Sequence, residues 1–288
     1  MNRTAQSENS GLREPNAPDL SDEEFQHVAK IALQEAGLAI PDSKKALVQS
    51  RLSRRMRQLG VPRHSDYIAL VAEPTNTAER RELISVLTTN VSSFFRERHH
   101  IKFLVTELVP KFKSKLSAGQ PVRIWSAGCS RGQEPYTIAM VCLESMPKVT
   151  ESDFLILATD IDPAILAEAR KGEYTDQDLA DVRAESKNRF FNTLGRGGLY
   201  AIEDTLQKLI RFRELNLHQD WPMRSQFDVI FCRNVVIYFD EERQRQLWPR
   251  FRDALVPGGH LILGHSERVH PIEKSGFENA GVTIYRKT

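Results

Sequence analysis
The residues best placed to do chemistry stand where apolar runs of the chain stop. Glu134 follows the run 122–125 across the turn Ser126-Ala127-Gly128-Cys129-Ser130-Arg131-Gly132. Asp160 closes the continuous apolar run 154–159. Asn216 follows two short alternating runs at 199–202 and 209–215, and Arg233-Asn234 close the run 227–232. Ligands of open α/β sheets sit beyond the carboxyl ends of the strands, where a carboxylate such as Asp160 can accept both hydroxyls of a ribose. Each residue has a plainer role open to it: Glu134 as partner of a helix dipole, Asp160 as a loop carboxylate, Asn216 as a turn former. Polar groups at successive strand ends together favour a nucleoside ligand.

The elements around them fit that reading. A short strand, a small-residue turn and a helix N-terminus make the nucleotide-binding corner of a doubly wound α/β domain. Gly128 and Gly132 let the backbone approach a ligand closely. Their spacing, G-x-x-x-G, is not the dinucleotide fingerprint, and no Gly-Lys-Ser/Thr for a triphosphate follows. A glycine turn of this kind also serves simply to reverse the chain.

The 288 residues allow one large domain or two modest ones, and 40% apolar with 27% charged residues is the composition of a soluble globular protein. No apolar run approaches the roughly 18 residues of a membrane span. Residues 1–19, rich in Asn, Ser and Pro, are expected to be a disordered tail and not a signal peptide. The scattered Cys129, Cys142 and Cys232 suit a reducing cytoplasm and exclude a disulfide scaffold. A net charge of +2 gives no whole-chain argument for nucleic acid.

Residues 20–90 read as a small all-α domain of four helices. The first opens on the capping box Ser21-x-x-Glu24 and ends at Gly37. The second, 44–59, carries Lys44, Arg51, Arg54 and Arg55 on its flank, with no Asp or Glu between residues 43 and 65 to pair with them. Helices at 65–72 and 78–89 complete it. Residues 91–288 read as an α/β domain: a helix at 101–116, strands at 122–125, 154–159, 227–232 and 260–264, and helices at 164–171 and 243–255. Pro257-Gly258-Gly259 reads as a turn. A last strand, 282–286, is expected to run antiparallel at the sheet edge, and residues 195–215 to form a small antiparallel β insertion.

Four stretches then become specific: Thr88-Thr89-Asn90-Val91-Ser92-Ser93-Phe94-Phe95-Arg96, Gly132-Gln133-Glu134-Pro135-Tyr136, Phe231-Cys232-Arg233-Asn234-Val235-Val236-Ile237-Tyr238-Phe239-Asp240 and Gly264-His265-Ser266-Glu267. In this order they resemble the CheR family, chemotaxis receptor glutamate O-methyltransferases that use S-adenosylmethionine, over about residues 20–286. The resemblance implies a Rossmann-like S-adenosylmethionine-dependent methyltransferase sheet with a small antiparallel β insertion, preceded by a small all-α domain. It implies a cofactor site lined by Asn90, Ser92, Arg96, Glu134, Asp160, Asn216, Leu217, Arg233 and Asn234, with S-adenosylhomocysteine as product. Ser92 stands where the family usually has Thr, and Gln133 where it often has Glu. Arg131 stands where it often has Ser or Thr, a bulky cation that puts the contacts of this loop in doubt.

The chemistry agrees. A glutamate side chain, with a pKa of about 4.3, is already a carboxylate at neutral pH, and a sulfonium methyl needs only an in-line nucleophile. Orientation and partial desolvation then carry the reaction, and no metal is expected: His99, His100 and His265 read as surface or packing residues. Arg96 and Tyr238 are the candidates to hold the substrate carboxylate, the guanidinium by bidentate pairing. Tyr238 also has a plain reading as a core aromatic. Arg51, Arg54 and Arg55 suit docking on the Glu-rich cytoplasmic helices that the family's receptors present, although a basic run is more often merely solvated. A cytoplasmic monomer recruited to receptor arrays, without membrane insertion, is the resulting expectation. Another acceptor such as RNA, or a non-catalytic receptor adaptor, is the alternative.

Overall fold
The computed structural model describes residues 19–195 and 197–288, so the expected tail, Asp19 apart, lies outside the described residues. Four helices come first: α1 (Asp22–Ala36), α2 (Lys45–Leu59), α3 (His64–Ala72) and α4 (Thr77–Leu87). The capping box of Ser21 and Glu24 is formed, and Gly37 ends α1 with a φ of 71° that glycine adopts without strain. Phe25, Val28, Leu52, Met56, Tyr67 and Leu83 form the core of this helical unit.

The expectation of three partnerless arginines on α2 does not hold. Arg55 binds Glu79 through two bonds of 2.9 and 2.6 Å, and the Tyr67 hydroxyl donates to the same carboxylate at 2.8 Å. Arg51 donates to the carbonyls of Val86, Leu87 and Thr88 at 2.7 to 3.2 Å, satisfying the end of α4. The partners lie on or just after α4, 24 to 37 residues further along the chain. Arg54 is exposed.

A helical stretch then runs from α5 (Arg98–Phe103) through a π turn (Leu104–Leu108) into α6 (Val109–Ser117). One regular helix was expected here. Pro110 has no N–H for the carbonyl four residues back, and a widened turn accommodates the loss. The α/β part follows as β1 (Val122–Ala127), α7 (Gln133–Ser145), β2 (Phe154–Asp160), α8 (Pro163–Lys171), β3 (Glu173–Thr175), α9 (Ala184–Phe190), β4 (Phe191–Thr193) and β5 (Leu199–Ile202). It continues through α10 (Asp204–Gln207), β6 (Ile210–Glu214), β7 (Phe227–Cys232), α11 (Glu241–Ala254), β8 (Leu255–Leu263), β9 (Phe277–Gly281) and β10 (Ile284–Lys287).

Seven strands form the main sheet in the order β6-β2-β1-β7-β8-β10-β9. The pairs β6–β2, β2–β1, β1–β7 and β7–β8 are parallel, and β10 is antiparallel to both its neighbours. The chain order reverses about β1, which puts a switch point between the ends of β1 and β7. Apolar clusters cover the sheet: Ile124, Ile138 and Phe231 belong to one, Trp125, Ile230 and Phe251 to another. The second also takes in Ala32, Ala36 and Leu38, which fastens the helical unit to the sheet.

Three expectations are corrected. The run 209–215 is not part of the insertion: as β6 it pairs with β2 and extends the main sheet. The small antiparallel sheet is instead β3-β5-β4, drawing its other strands from residues 173–175 and 191–193. These runs of 3 residues are too short for an alternating pattern to register. The last strand is not the edge, because β9 pairs outside it. Finally, Pro257-Gly258-Gly259 lies inside β8 as a bulge, where register slips between Phe227 and Val229 and Gly258 has a φ of 72°.

Candidate functional site
A cleft whose empty space, open solvent included, is about 910 Å³ lies at the switch point. Asn90, Ser92, Arg96, Glu134, Asp160, Asn216, Leu217, Arg233, Asn234 and Tyr238 all line it. The fold thus brings together every cofactor and substrate residue named from the sequence.

The turn after β1 is shaped by left-handed residues, Gly128 at 79°, Ser130 at 51° and Gly132 at 89°. A Cβ on Gly128 would lie 2.3 Å from Val235 Cγ2, so the loop after β7 can pack this close only against glycine. Asp160 Oδ2 accepts the Ser130 N–H at 2.8 Å and Oδ1 the Asp162 N–H at 3.1 Å. Burial nevertheless pushes the Asp160 carboxyl up to about 6. Asp162 caps α8 with Oδ1 and accepts from Ser85 and Asn90 with Oδ2, at 2.8 and 3.3 Å. Asn216 stands at the end of β6, donating to the Glu35 carbonyl at 2.8 Å and accepting from the His218 N–H at 2.9 Å.

Behind the cleft lies a buried charge array. Arg233 donates to Glu134 at 3.1 Å, to Glu97 at 3.3 Å and to the carbonyl of Arg96 at 2.6 Å. Glu134 also accepts from Ser126 at 2.7 Å; burial raises its carboxyl, and Arg233 opposes the rise. Burial acts the same way on Glu97, but bonds from His100 and His265 together with the Arg233 charge hold it well below the usual carboxylate range. Glu97, His99 and His100 lie close enough to share a metal ion, yet the Glu97 oxygens are already engaged by Arg233, His100 and His265. Arg131 turns away from the cleft, pairing with Glu168 at 3.1 Å and Asp178 at 3.0 Å, which removes the doubt about its cation.

Two carboxylates have roles that sequence reasoning left unassigned. Glu97 supports the array just described. Glu267 accepts four backbone N–H groups, from Asn234, Val235, Ile237 and Gly264, and so fixes the loop that carries Arg233, Asn234 and Tyr238. Both stand in or beside the quoted motifs, which was the available signal. Ala36, Leu38, Thr88 and Thr89 of the helical unit also line the cleft and were not foreseen. Backbone strain gathers here: Phe95 and Glu97, which flank Arg96, and Ser130 and Asn234 in the lining all have positive φ.

The residues fit a nucleoside bearing an amino acid. Asp160 is a buried carboxylate at a strand end, and Asn234 Oδ1 is buried on the lining without a partner among the described residues. Fold and site together define a Rossmann-like S-adenosylmethionine-dependent methyltransferase. Residues 90–286 match the CheR methyltransferase, SAM binding domain, and residues 23–88 the CheR methyltransferase, all-alpha domain. The chain belongs to the CheR family. It is 47% identical over 256 residues to a probable chemotaxis protein methyltransferase of Rhizobium etli, covering 88% of this chain and 96% of that one. A chemotaxis protein methyltransferase of Escherichia coli is 35% identical over 269 residues, covering 92% of this chain and 91% of that one.

Proposed function
We propose that this methyltransferase esterifies glutamate side chains on the cytoplasmic helices of chemotaxis receptors. The observation that carries the proposal is the presence of a cationic and a phenolic side chain, Arg96 and Tyr238, on the lining of a cleft otherwise suited to the cofactor. When bound, S-adenosylmethionine supplies an electrophilic methyl on a positively charged sulfur. Arg96 pairs with the incoming carboxylate and Tyr238 steers one of its oxygens. With S-adenosylmethionine held along Asn90, Asp160, Asn216 and Asn234, the aligned oxygen would receive its methyl group as an ester, and S-adenosylhomocysteine would remain. The nucleophile arrives ionised, so no general base is called for, and alignment supplies the rate.

Docking falls to the exposed face of α2, where Arg54 and Arg57 meet solvent and suit acidic helices. Arg51 and Arg55 support that face from within. The protein acts as a monomer in the cytoplasm, recruited to receptor arrays; among the described residues no helix is long and apolar enough to cross a membrane. Relatives named as chemotaxis protein methyltransferases disfavour an RNA acceptor. Radiolabelled methyl transfer to receptor-rich membranes, against RNA, tests the reading. Base-labile label on the receptor is the expected result, and label on RNA alone would overturn it.

A further inference from the structure
The helical unit does more than sit beside the sheet. After α1, Gly37 turns the chain so that Leu38 forms an antiparallel bridge with Phe239 and the Ala39 N–H donates to the Tyr238 carbonyl at 2.8 Å. Gly37 N–H and Leu38 N–H tie the turn to the carbonyls of Leu33 and Ala32, and only glycine fits there, because a Cβ would strike His218 at 2.3 Å. Asn216 holds the same end of α1 through the Glu35 carbonyl. From the other side, Gln244 donates to the carbonyls of Val236 and Phe239, both at 2.9 Å, and Glu267 fixes the loop start. The tyrosine's own main chain is held at both polar groups: its N–H donates to the Val235 carbonyl at 3.2 Å within the segment, and its carbonyl accepts from Ala39, the bond that comes from the helical unit.

We infer that Ala39 is a positioning residue for methyl transfer: its N–H sets the main chain of Tyr238, so the helical unit aligns the acceptor as well as docking it. The inference rests on the role proposed above for Tyr238. Its test is a double-mutant cycle on the full chain, with receptor methylation and cofactor binding measured separately. Ala39→Pro removes the N–H, and Ala39→Ser keeps it. With Ala39→Pro, kcat is expected to fall at least about fivefold, the weight of one hydrogen bond, while cofactor affinity and receptor KM hold. Ala39→Ser restores kcat. In a Tyr238→Phe background, Ala39→Pro causes no further loss. Equal losses in both backgrounds, or wild-type kcat in Ala39→Pro, overturn the inference. Wild-type kcat in Tyr238→Phe alone overturns the tyrosine's role, and the inference with it. If Ala39→Pro does not fold, hydrogen exchange on the native chain decides: a protected Ala39 amide supports the bridge, and one that exchanges like an open loop removes it.

Discussion
The Arg233 guanidinium donates to Glu134 at 3.1 Å, joining the loop after β7 to the first turn of α7 across the switch point. Neither side chain retains much access to water. Each therefore depends on the other, and Glu97 closes the array on the far side of the same guanidinium.

Arg233→Ala should leave two buried carboxylates without their cation. Breaking a buried pair from one side costs about 3–5 kcal/mol, so a marked drop in thermal midpoint is expected. Cofactor affinity should fall with it, because Asn234 shares the loop. A midpoint equal to wild type would mean that water replaces the guanidinium and that the array is dispensable.

Asp160 sets a pH limit on cofactor binding. Burial raises its carboxyl from the ordinary 3.8 to about 6. The folded state therefore holds the extra proton between these values, and this group's contribution to stability declines as pH rises through that window and is flat above it. The ionised form is the one expected to accept ribose hydroxyls, so cofactor affinity should weaken as pH falls below about 6. Asp160→Ala should lose at least about tenfold in affinity, since bonds to a charged group are worth roughly 1.5–3 kcal/mol, and should flatten the pH profile. Titration calorimetry at two pH values reads both effects; wild-type affinity in the folded variant would remove Asp160 from the site.

Arg96→Ala and Tyr238→Phe should slow methyl transfer while leaving the fold intact. Among the described residues the Arg96 side chain makes one bond, to the Val91 carbonyl at 3.2 Å, so little structure depends on it. Tyr238→Phe should in addition keep cofactor affinity, because only the hydroxyl is removed. Single-turnover rates at saturating cofactor check this, and wild-type rates in both variants would assign the carboxylate to other groups.

The arginines of α2 should now separate by role. Arg55→Glu places a like charge against Glu79 and Glu82, and loss of stability should dominate. Arg54→Glu, at an exposed position, should spare the melting temperature and cofactor affinity but reduce receptor methylation. Native activity should also fall with salt, since exposed charges are screened over about 8–10 Å at physiological ionic strength. Full receptor methylation by a stable Arg54→Glu variant would end the docking role of this face.

By itself the sequence determined the class of fold and which polar residues meet in one cleft. Continuous apolar runs marked the buried parallel strands β2 and β7. The polar residues that close the runs had to lie at one edge of the sheet, because parallel strands end together. That is why Asp160 and Asn234 were legible 74 residues apart, counting from 160 to 234. The capping box and Gly37 fixed the ends of α1 by local bonds alone.

Only the tertiary structure decided which charges were free. Arg51, Arg55 and Arg131 look alike as isolated cations, and each is engaged by a partner that chain folding brings in, from α4 or from Glu168 and Asp178. It also moved the run 209–215 from the insertion into the main sheet, since a strand's neighbour is set by pairing and not by its own alternation. Beside local bonds to His100 and Gly264, Glu97, Glu267 and Ala39 act through distant contacts, from 30 residues between Glu267 and Ile237 to 199 between Ala39 and Tyr238. Backbone N–H groups carry much of that support, and they are common to nearly every residue type, so no side-chain pattern could have announced them.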